Sequence, residues 1–318
     1  MKEFDMKTAV VTGANGFIGK ALVRVLDKNH VHTYAVVKNR SSDISGIQKL
    51  ENIEIIYCDM AHLASLKEKI KEKVDVFFHL AWQGSTGAAR SYYALQLDNA
   101  KCTVDAVKAA HEMGGVTVRF VGAGTLAEHD VNTYVPLDGS SPNPVSCYGS
   151  AKLAAHYMSK AESSQYANLE HCWAYLSNTY GIGNYTSNFV NFAAKLMLTG
   201  QPADFTAGDQ LYDFVFVEDT AQGLYCVGEQ GRKNTAYYIG SGHPRPLKRF
   251  IQEIRNQINP EIELHLGAVP FHGISQPPSV FNCEKLMKDT DYAPKVSFKE
   301  GLQVTIPWIR EQILQGGL

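Results

Sequence analysis

Two groups of residues in this sequence have types and spacings suited to chemistry. The first is Thr12-Gly13-Ala14-Asn15-Gly16-Phe17-Ile18-Gly19, with glycines spaced G-x-x-G-x-x-G. Behind a short β-branched run (Thr8–Thr12) and ahead of a helical pattern (Phe17–Leu26), such a turn suits a dinucleotide. Gly13 permits the tight turn, Gly16 lets a pyrophosphate approach backbone N–H groups, and Gly19 lets the helix pack closely on the sheet. The helix amino terminus then favours the anion. The second group is Tyr148 and Lys152, four positions apart and so on one helix face. A phenol ionises near pH ~10, too high for efficient proton exchange at neutrality, and an adjacent ammonium lowers that value. Such a pair can exchange a proton with a substrate oxygen while a nicotinamide exchanges hydride at the same carbon.

The end of the second strand bears on which dinucleotide is bound. It reads Val36-Val37-Lys38-Asn39-Arg40-Ser41-Ser42, with no carboxylate before Asp43. An acidic residue there holds a ribose 2′-hydroxyl, a basic one a 2′-phosphate. Lys38 and Arg40 therefore favour NADP(H), with NAD(H) the alternative.

These groups must be positioned by a fold of ordinary globular composition. Of the 318 residues, 45% are hydrophobic and 19% charged, which excludes general disorder. Thirty basic residues against 32 acidic ones give a net charge of −2, so no nucleic-acid footprint is expected. No apolar run approaches the roughly 18 residues of a membrane-spanning helix. The first residues lack the apolar core of a signal peptide, and the six cysteines are scattered without a Cys-x-x-Cys. A cytoplasmic protein with free thiols is the expectation. The histidines show no metal-ligand spacing, so no metal is expected.

Short apolar runs alternate with helical stretches through the first half. Strands are predicted at Tyr34–Val37, Ile53–Tyr57, Val74–Leu80 and Val116–Val121, and helices at His62–Lys71 and Ser91–Met113. His129–Ser146 reads as a loop, followed by a helix to about Gln165 and a strand at Glu170–Ser177. Leu211–Val217 reads as a further strand and Leu247–Ile258 as a helix. The pattern predicts an α/β fold: a Rossmann-type doubly wound parallel sheet with a smaller, interleaved α/β substrate domain. The dinucleotide domain would take residues 1–178 plus about 211–240, and the substrate domain about 179–210 and 241–318.

With these motifs in place, the sequence resembles the extended short-chain dehydrogenase/reductases, the group of nucleotide-sugar epimerases, dehydratases and 4-ketoreductases. The resemblance covers nearly the whole chain. Cys58-Asp59-Met60 looks like the family's segment whose Asp contacts adenine. Asp75–Ala81 looks like its fourth strand, whose end (Leu80, Ala81) runs along the cofactor, and Trp82–Gly87 like its sugar-facing loop. The resemblance thus implies Asp59, Met60, Leu80, Ala81 and Trp82 at the cofactor and Gln83 at the substrate. Asn99 matches a structural Asn. Ser177–Gly181 resembles the segment whose Asn, here Asn178, contacts the substrate diphosphate. Asp213–Asp219 and Val296–Leu302 match later motifs of the family. Lys195, His243 and Arg245 are candidate cations for the diphosphate. The resemblance also implies a homodimer through the helices near Ser91–Met113 and Ser146–Gln165.

Three departures stand out. Ala123 occupies the position of the family's triad hydroxyl, leaving Thr125 as the nearest candidate to orient the substrate oxygen. Gly124 and Thr125 supply no carboxylate where dehydratases of the family place one. Tyr175 and Tyr212 stand where nucleotide-contacting arginines are usual. The expected function is NADPH-dependent reduction of a 4-keto-6-deoxy nucleotide sugar at C4, with Tyr148 as proton donor, Lys152 tuning it and Asn178 positioning the diphosphate. A nucleotide-sugar 4-epimerase with tightly held cofactor is the close alternative. A non-catalytic dinucleotide-binding regulator is the alternative of another class.

Overall fold

The computed structural model describes residues 4–134 and 146–318. Its centre is a seven-stranded sheet. The chain enters at β1 (Thr8–Thr12), moves outward through β2 (His32–Val37) and β3 (Ile53–Tyr57), then returns to the other side of β1. There it lays down β4 (Val74–His79), β5 (Gly114–Thr125) and β6 (Leu169–Leu176), with a later strand closing that edge. Every pairing in this sheet is parallel. The direction of winding therefore reverses between β1 and β4, and the crevice beyond their carboxyl ends is where such sheets bind ligands.

Both faces are covered, which is why the strands read as nearly continuous apolar runs. Val11, Ala35, Phe78 and Val121 point to one face, against α1 (Phe17–Lys28). Val10, Val36, Phe77 and Phe120 point to the other, against a four-residue helix α2 (Leu66–Lys69) and the long α3 (Tyr93–Met113). The expected helix at His62–Lys71 is divided between a 3-10 turn, Met60–Ser65, and α2. The Asp59 carboxylate caps the Ala61 N–H of the turn, and non-helical dihedrals at His62 interrupt it.

Beyond β5 the reading of His129–Ser146 as loop is corrected over its first part. Residues Ala127–Tyr134 form helix α4, and residues 135–145 lie outside the described residues. Helix α5 (Ser146–Ser163) packs on both α3 and α4. β5 also extends further than its apolar run, through Gly122 and Gly124. A Cβ on Gly122 would lie 2.3 Å from the Trp173 ring, and one on Gly124 would lie 2.2 Å from its Nε1. The indole of β6 thus lies flat across the two glycines, with the His156 ring stacked 4.6 Å away.

After β6 the chain builds a second core. β7 (Asn178–Tyr180), α6 (Phe189–Leu198) and the two-residue strands β8 (Asp204–Phe205) and β9 (Leu211–Tyr212) lead to β10 (Phe214–Phe216), which pairs with β7. The single strand expected over Leu211–Val217 is broken because Asp213 leaves the ladder. Its buried carboxylate accepts hydrogen bonds from the Tyr238 hydroxyl at 2.8 Å and the Ser241 N–H at 2.9 Å. Phe214 and Phe216 then turn into the second core, beside Phe250, Ile254, Phe298 and Ile306. Helix α7 (Val217–Gln230) and β11 (Thr235–Ile239) return to the sheet, β11 pairing with β6. The remaining elements are β12 (Arg245–Pro246), α8 (Leu247–Ile258), β13 (His265–Leu266), α9 (Glu284–Asp289) and α10 (Phe298–Leu314). Among the described residues no helix is long and apolar enough to cross a membrane, and all six cysteines are free.

Because Trp173 is almost fully buried, it cannot yield to a new side chain. Gly122→Ala should lower stability by about 1–3 kcal/mol, the usual cost of overpacking. Urea denaturation checks this, and an unchanged midpoint would show that the indole is not held against β5.

Candidate active site

Gly13 adopts a left-handed backbone (φ +69°), and a Cβ there would lie 2.9 Å from the Ala81 nitrogen. The glycine turn is thus pressed against the end of β4. Gly19 is held closer still, since its Cβ would meet the Gly13 carbonyl oxygen at 2.1 Å. Thr12 ties the two strand ends together: its hydroxyl hydrogen-bonds His79 Nδ1 at 2.9 Å and accepts from the Ala81 N–H at 3.3 Å. Burial keeps His79 neutral, with its pKa pushed down to about 3. Helix α1 carries no acidic residue in its first turn, so its positive end faces the crevice uncompensated.

A cavity of about 260 Å³ opens here, lined by Gly13, Asn15 and Gly16, by Val36 and Lys38, and by Met60 and Leu80–Gln83. An apolar slot beside a helix amino terminus fits a dinucleotide. Lys38 lies 3.7 Å from the Asp59 carboxylate, and Arg40 rests on the Tyr57 ring at 5.0 Å. Gln83, expected at the substrate, lines this cofactor-side cavity instead. Its backbone is pinned by Asn99, which accepts from its N–H at 2.9 Å and donates to its carbonyl at 2.8 Å.

Helix α5 brings Tyr148 into the lining of this crevice and buries Lys152 beside it, 8% and 5% exposed. The Thr125 hydroxyl, at the end of β5, hydrogen-bonds the Tyr148 phenol. Lys152 donates to the Ala123 carbonyl at 2.7 Å, and its ammonium lies 3.8 Å from the centre of the Trp82 ring. Trp82 is oriented in turn by a hydrogen bond to Gln96 at 2.9 Å, and it meets Tyr148 edge-on. The cation lying on the phenol is one the sequence reading missed: the Arg90 guanidinium, 4.4 Å from the centre of the Tyr148 ring.

Burial raises the phenol above its ordinary value. The Thr125 hydrogen bond and Arg90 oppose the rise, and Glu128 adds to it. Burial pushes Lys152 down to about 7, against the pull of Glu128. The sequence reading gave Lys152 the task of lowering Tyr148. In the structure its nitrogen is directed at the Ala123 carbonyl.

Glu128 is another residue the sequence reading missed. It is fully buried on α4 and accepts from the Thr125 N–H at 2.8 Å and the Trp173 Nε1–H at 3.2 Å. Its second oxygen lies 3.4 Å from His156 Nδ1. It thereby fixes the backbone that carries the Thr125 hydroxyl.

A wider cavity of about 440 Å³ continues from the glycine turn past Tyr148 to Asn178, Asn184, Thr186 and Asn188. Among the described residues lining it, Tyr148 is the one titratable side chain. The polar lining beyond is neutral amide and hydroxyl. Asn188 caps α6 through its oxygen, at 3.0 Å from the Asn191 nitrogen, and leaves a buried Nδ2 with no partner among the described residues. An Asn just before an apolar run is a helix-start signal that sequence reading can use. The expected diphosphate cations do not gather here. Lys195 is exposed on α6, away from the cavity lining, while His243 and Arg245 line a separate cavity. There Arg245 pairs with Glu253 and packs on Phe250.

Comparison with known proteins settles the lineage. A family model described as "NAD dependent epimerase/dehydratase family" matches residues 9–240. The chain belongs to that family. It is accordingly an enzyme of the oxidoreductase type, of a family that uses NAD. Its relatives include the dTDP-glucose 4,6-dehydratase of Haemophilus influenzae, 23% identical over 95% of this chain and 98% of the relative. The human dTDP-D-glucose 4,6-dehydratase is 25% identical over 96% and 90%. Among solved structures, the Bordetella bronchiseptica enzyme WbmF with NADH superposes with a TM-score of 0.79 at 20% identity, covering 99% of this chain and 95% of that one. UDP-glucose 4-epimerase from Thermotoga maritima gives 0.77 at 19% identity, covering 96% and 99%.

The low pKa of Lys152 is a statement about stability. The unfolded lysine titrates near 10.5 and the folded one near 7, so between those values the unfolded chain binds the extra proton. Stability contributed by this group therefore rises with pH through that window. The thermal midpoint of the cofactor-free enzyme, followed from pH ~7 to ~9.5, should rise relative to that of Lys152→Met. Parallel curves would show that the buried lysine stays charged.

Proposed function

We propose that this enzyme transfers hydride at C4 of a nucleotide-activated sugar, with Tyr148 exchanging the proton at the C4 oxygen. The observation that carries this is a cleft whose described lining holds one titratable side chain, beside a site fit for a dinucleotide. Reduction of a ketone needs one proton. Elimination of water across C5 and C6 needs further acid and base, and position 124 has no room for a carboxylate under Trp173. The reading is thus reduction of a 4-keto-6-deoxy sugar, although dehydratases are among the relatives.

A bound nicotinamide would supply the hydride. Tyr148 would give its proton to the new hydroxyl, with Thr125 holding the phenol in line. Lys152 would lie beside the nicotinamide ribose. Asn178 and Asn188 would hold the diphosphate through neutral donors. The cofactor would sit on residues 1–178 with about 211–240, and the nucleotide sugar against about 179–210 with 241–318. Lys38 and Arg40, with no carboxylate at the end of β2, support NADPH. The second reading is a 4-epimerase that reuses its cofactor, favoured by the likeness to the Thermotoga maritima epimerase.

Tyr148→Phe should reduce turnover by about 100-fold or more, the scale of a lost proton donor, while cofactor affinity stays within a few-fold. Retained turnover would remove Tyr148 from the chemistry. Binding of NADPH and NADH, compared at fixed ionic strength, separates the two readings. Preference for NADPH by about tenfold, some 1.4 kcal/mol, supports the reductase, and equal or tighter NADH binding supports the epimerase.

The enzyme also reads as a cytoplasmic homodimer. Tyr93 and Leu97 on α3 and Tyr157 and Met158 on α5 are large apolar side chains left exposed. Sedimentation should give a dimer that Leu97→Asp weakens. A monomer at every concentration would leave that face without a role.

A further inference from the structure

We infer that Arg90 is a positioning residue that acts through Tyr148, its guanidinium lying on the phenol ring and stabilising the phenolate. This rests on the reading of Tyr148 as the proton-exchanging group. Arg90 belongs to a 3-10 turn, Gly87–Ser91, that leads into α3. That turn is held from α3 itself. Gln96 donates to the carbonyls of Gly84 and Ala89, both at 2.9 Å, and Asn99 brackets the backbone of Gln83. The stem of Arg90 is therefore fixed, and its guanidinium sits 4.4 Å from the centre of the Tyr148 ring.

Among the described residues no hydrogen bond or ion pair holds the group elsewhere. Its Nε is buried with no hydrogen-bond partner among the described residues, and no described carboxylate lies within ion-pair distance of it. A guanidinium keeps its charge at any pH the protein survives. A cation over a ring face is attracted to the π system, and ionisation of the phenol strengthens that attraction.

The Thr125 hydrogen bond also opposes the rise, but no other described cation around Tyr148 does. Thr125, from β5, gives a neutral hydrogen bond, and Glu128, from α4, disfavours the phenolate. Lys152, on α5 with Tyr148, directs its nitrogen at the Ala123 carbonyl, and burial disfavours its charged form. Trp82 contributes an uncharged edge. Asp130, from α4, feels Arg90 electrostatically, but its carboxyl is raised by burial and bonded to Gln276. Arg90 is thus the cation that counters the cost of burying the phenol.

The test is a spectroscopic titration of Tyr148 in the full-length, cofactor-free enzyme. Phenolate absorbance of each protein is compared with that of its Tyr148→Phe counterpart. Arg90→Gln should move the Tyr148 titration upward by about one pH unit or more. Arg90→Lys should retain most of the wild-type value, and Lys152→Met should move it less than Arg90→Gln does. The basic limb of the kcat/KM profile should shift with the titration. The inference is overturned if Arg90→Gln leaves the titration in place, or if Lys152→Met moves it further. It is also overturned if Arg90→Lys moves it as far as Arg90→Gln, since charge would then not be the agent. No substrate enters the titration. A normal shift with no turnover on any 4-keto nucleotide sugar would therefore fault the proposed reaction and leave the role of Arg90 intact.

Discussion

The contact between Gly13 and Ala81 is the constraint on which the site depends. β1 and β4 are neighbours in the sheet but distant in sequence, and the winding reverses between them. Only a glycine at φ +69° lets the turn after β1 lie against the backbone that leaves β4. That approach opens the crevice, aims the amino terminus of α1 into it, and starts the following loop at Trp82. Any larger residue at position 13 would push the turn and the loop apart.

What the loop carries is then set by α3. Gln96 and Asn99 are buried polar residues on an otherwise sheet-facing helix, and their hydrogen bonds go to loop backbone and to the Trp82 indole. Buried amides satisfied in this way rigidify their surroundings. The result is an aromatic and cationic wall, Trp82 and Arg90, set against Lys152 and Tyr148. The two charged side chains divide the work: Arg90 faces the phenol, and Lys152 faces the end of β5.

The far wall is made by a substitution of volumes. Gly122 and Gly124 remove side chains from β5, and Trp173 fills the space. The indole N–H needs an acceptor in that setting, and Glu128 provides it while also holding the Thr125 N–H. A buried carboxylate here serves architecture, and the hydroxyl it positions is displaced two residues from Ala123, where the family pattern would place one. The same packing that excludes a side chain at position 124 leaves Tyr148 as the titratable group of the described cleft.

Much of this was determined by sequence alone. Glycine spacing and strand–helix alternation report backbone requirements that are local, so the sheet, the tight glycine turn and the placing of Tyr148 and Lys152 on one helix were legible without a fold. Local pattern failed where tertiary partners overrode it. Asp213 broke an apparent strand because Tyr238 and Ser241 come from elsewhere to bind it. Lys195 and Arg245 had the right charge but do not line the cleft. Arg90, Glu128 and Asn188 carry no motif, since a lone polar residue looks the same on a surface as in a site. Only the folded chain shows which cation reaches the phenol, because that depends on hydrogen bonds from α3 that bend a loop over a helix some 60 residues further on.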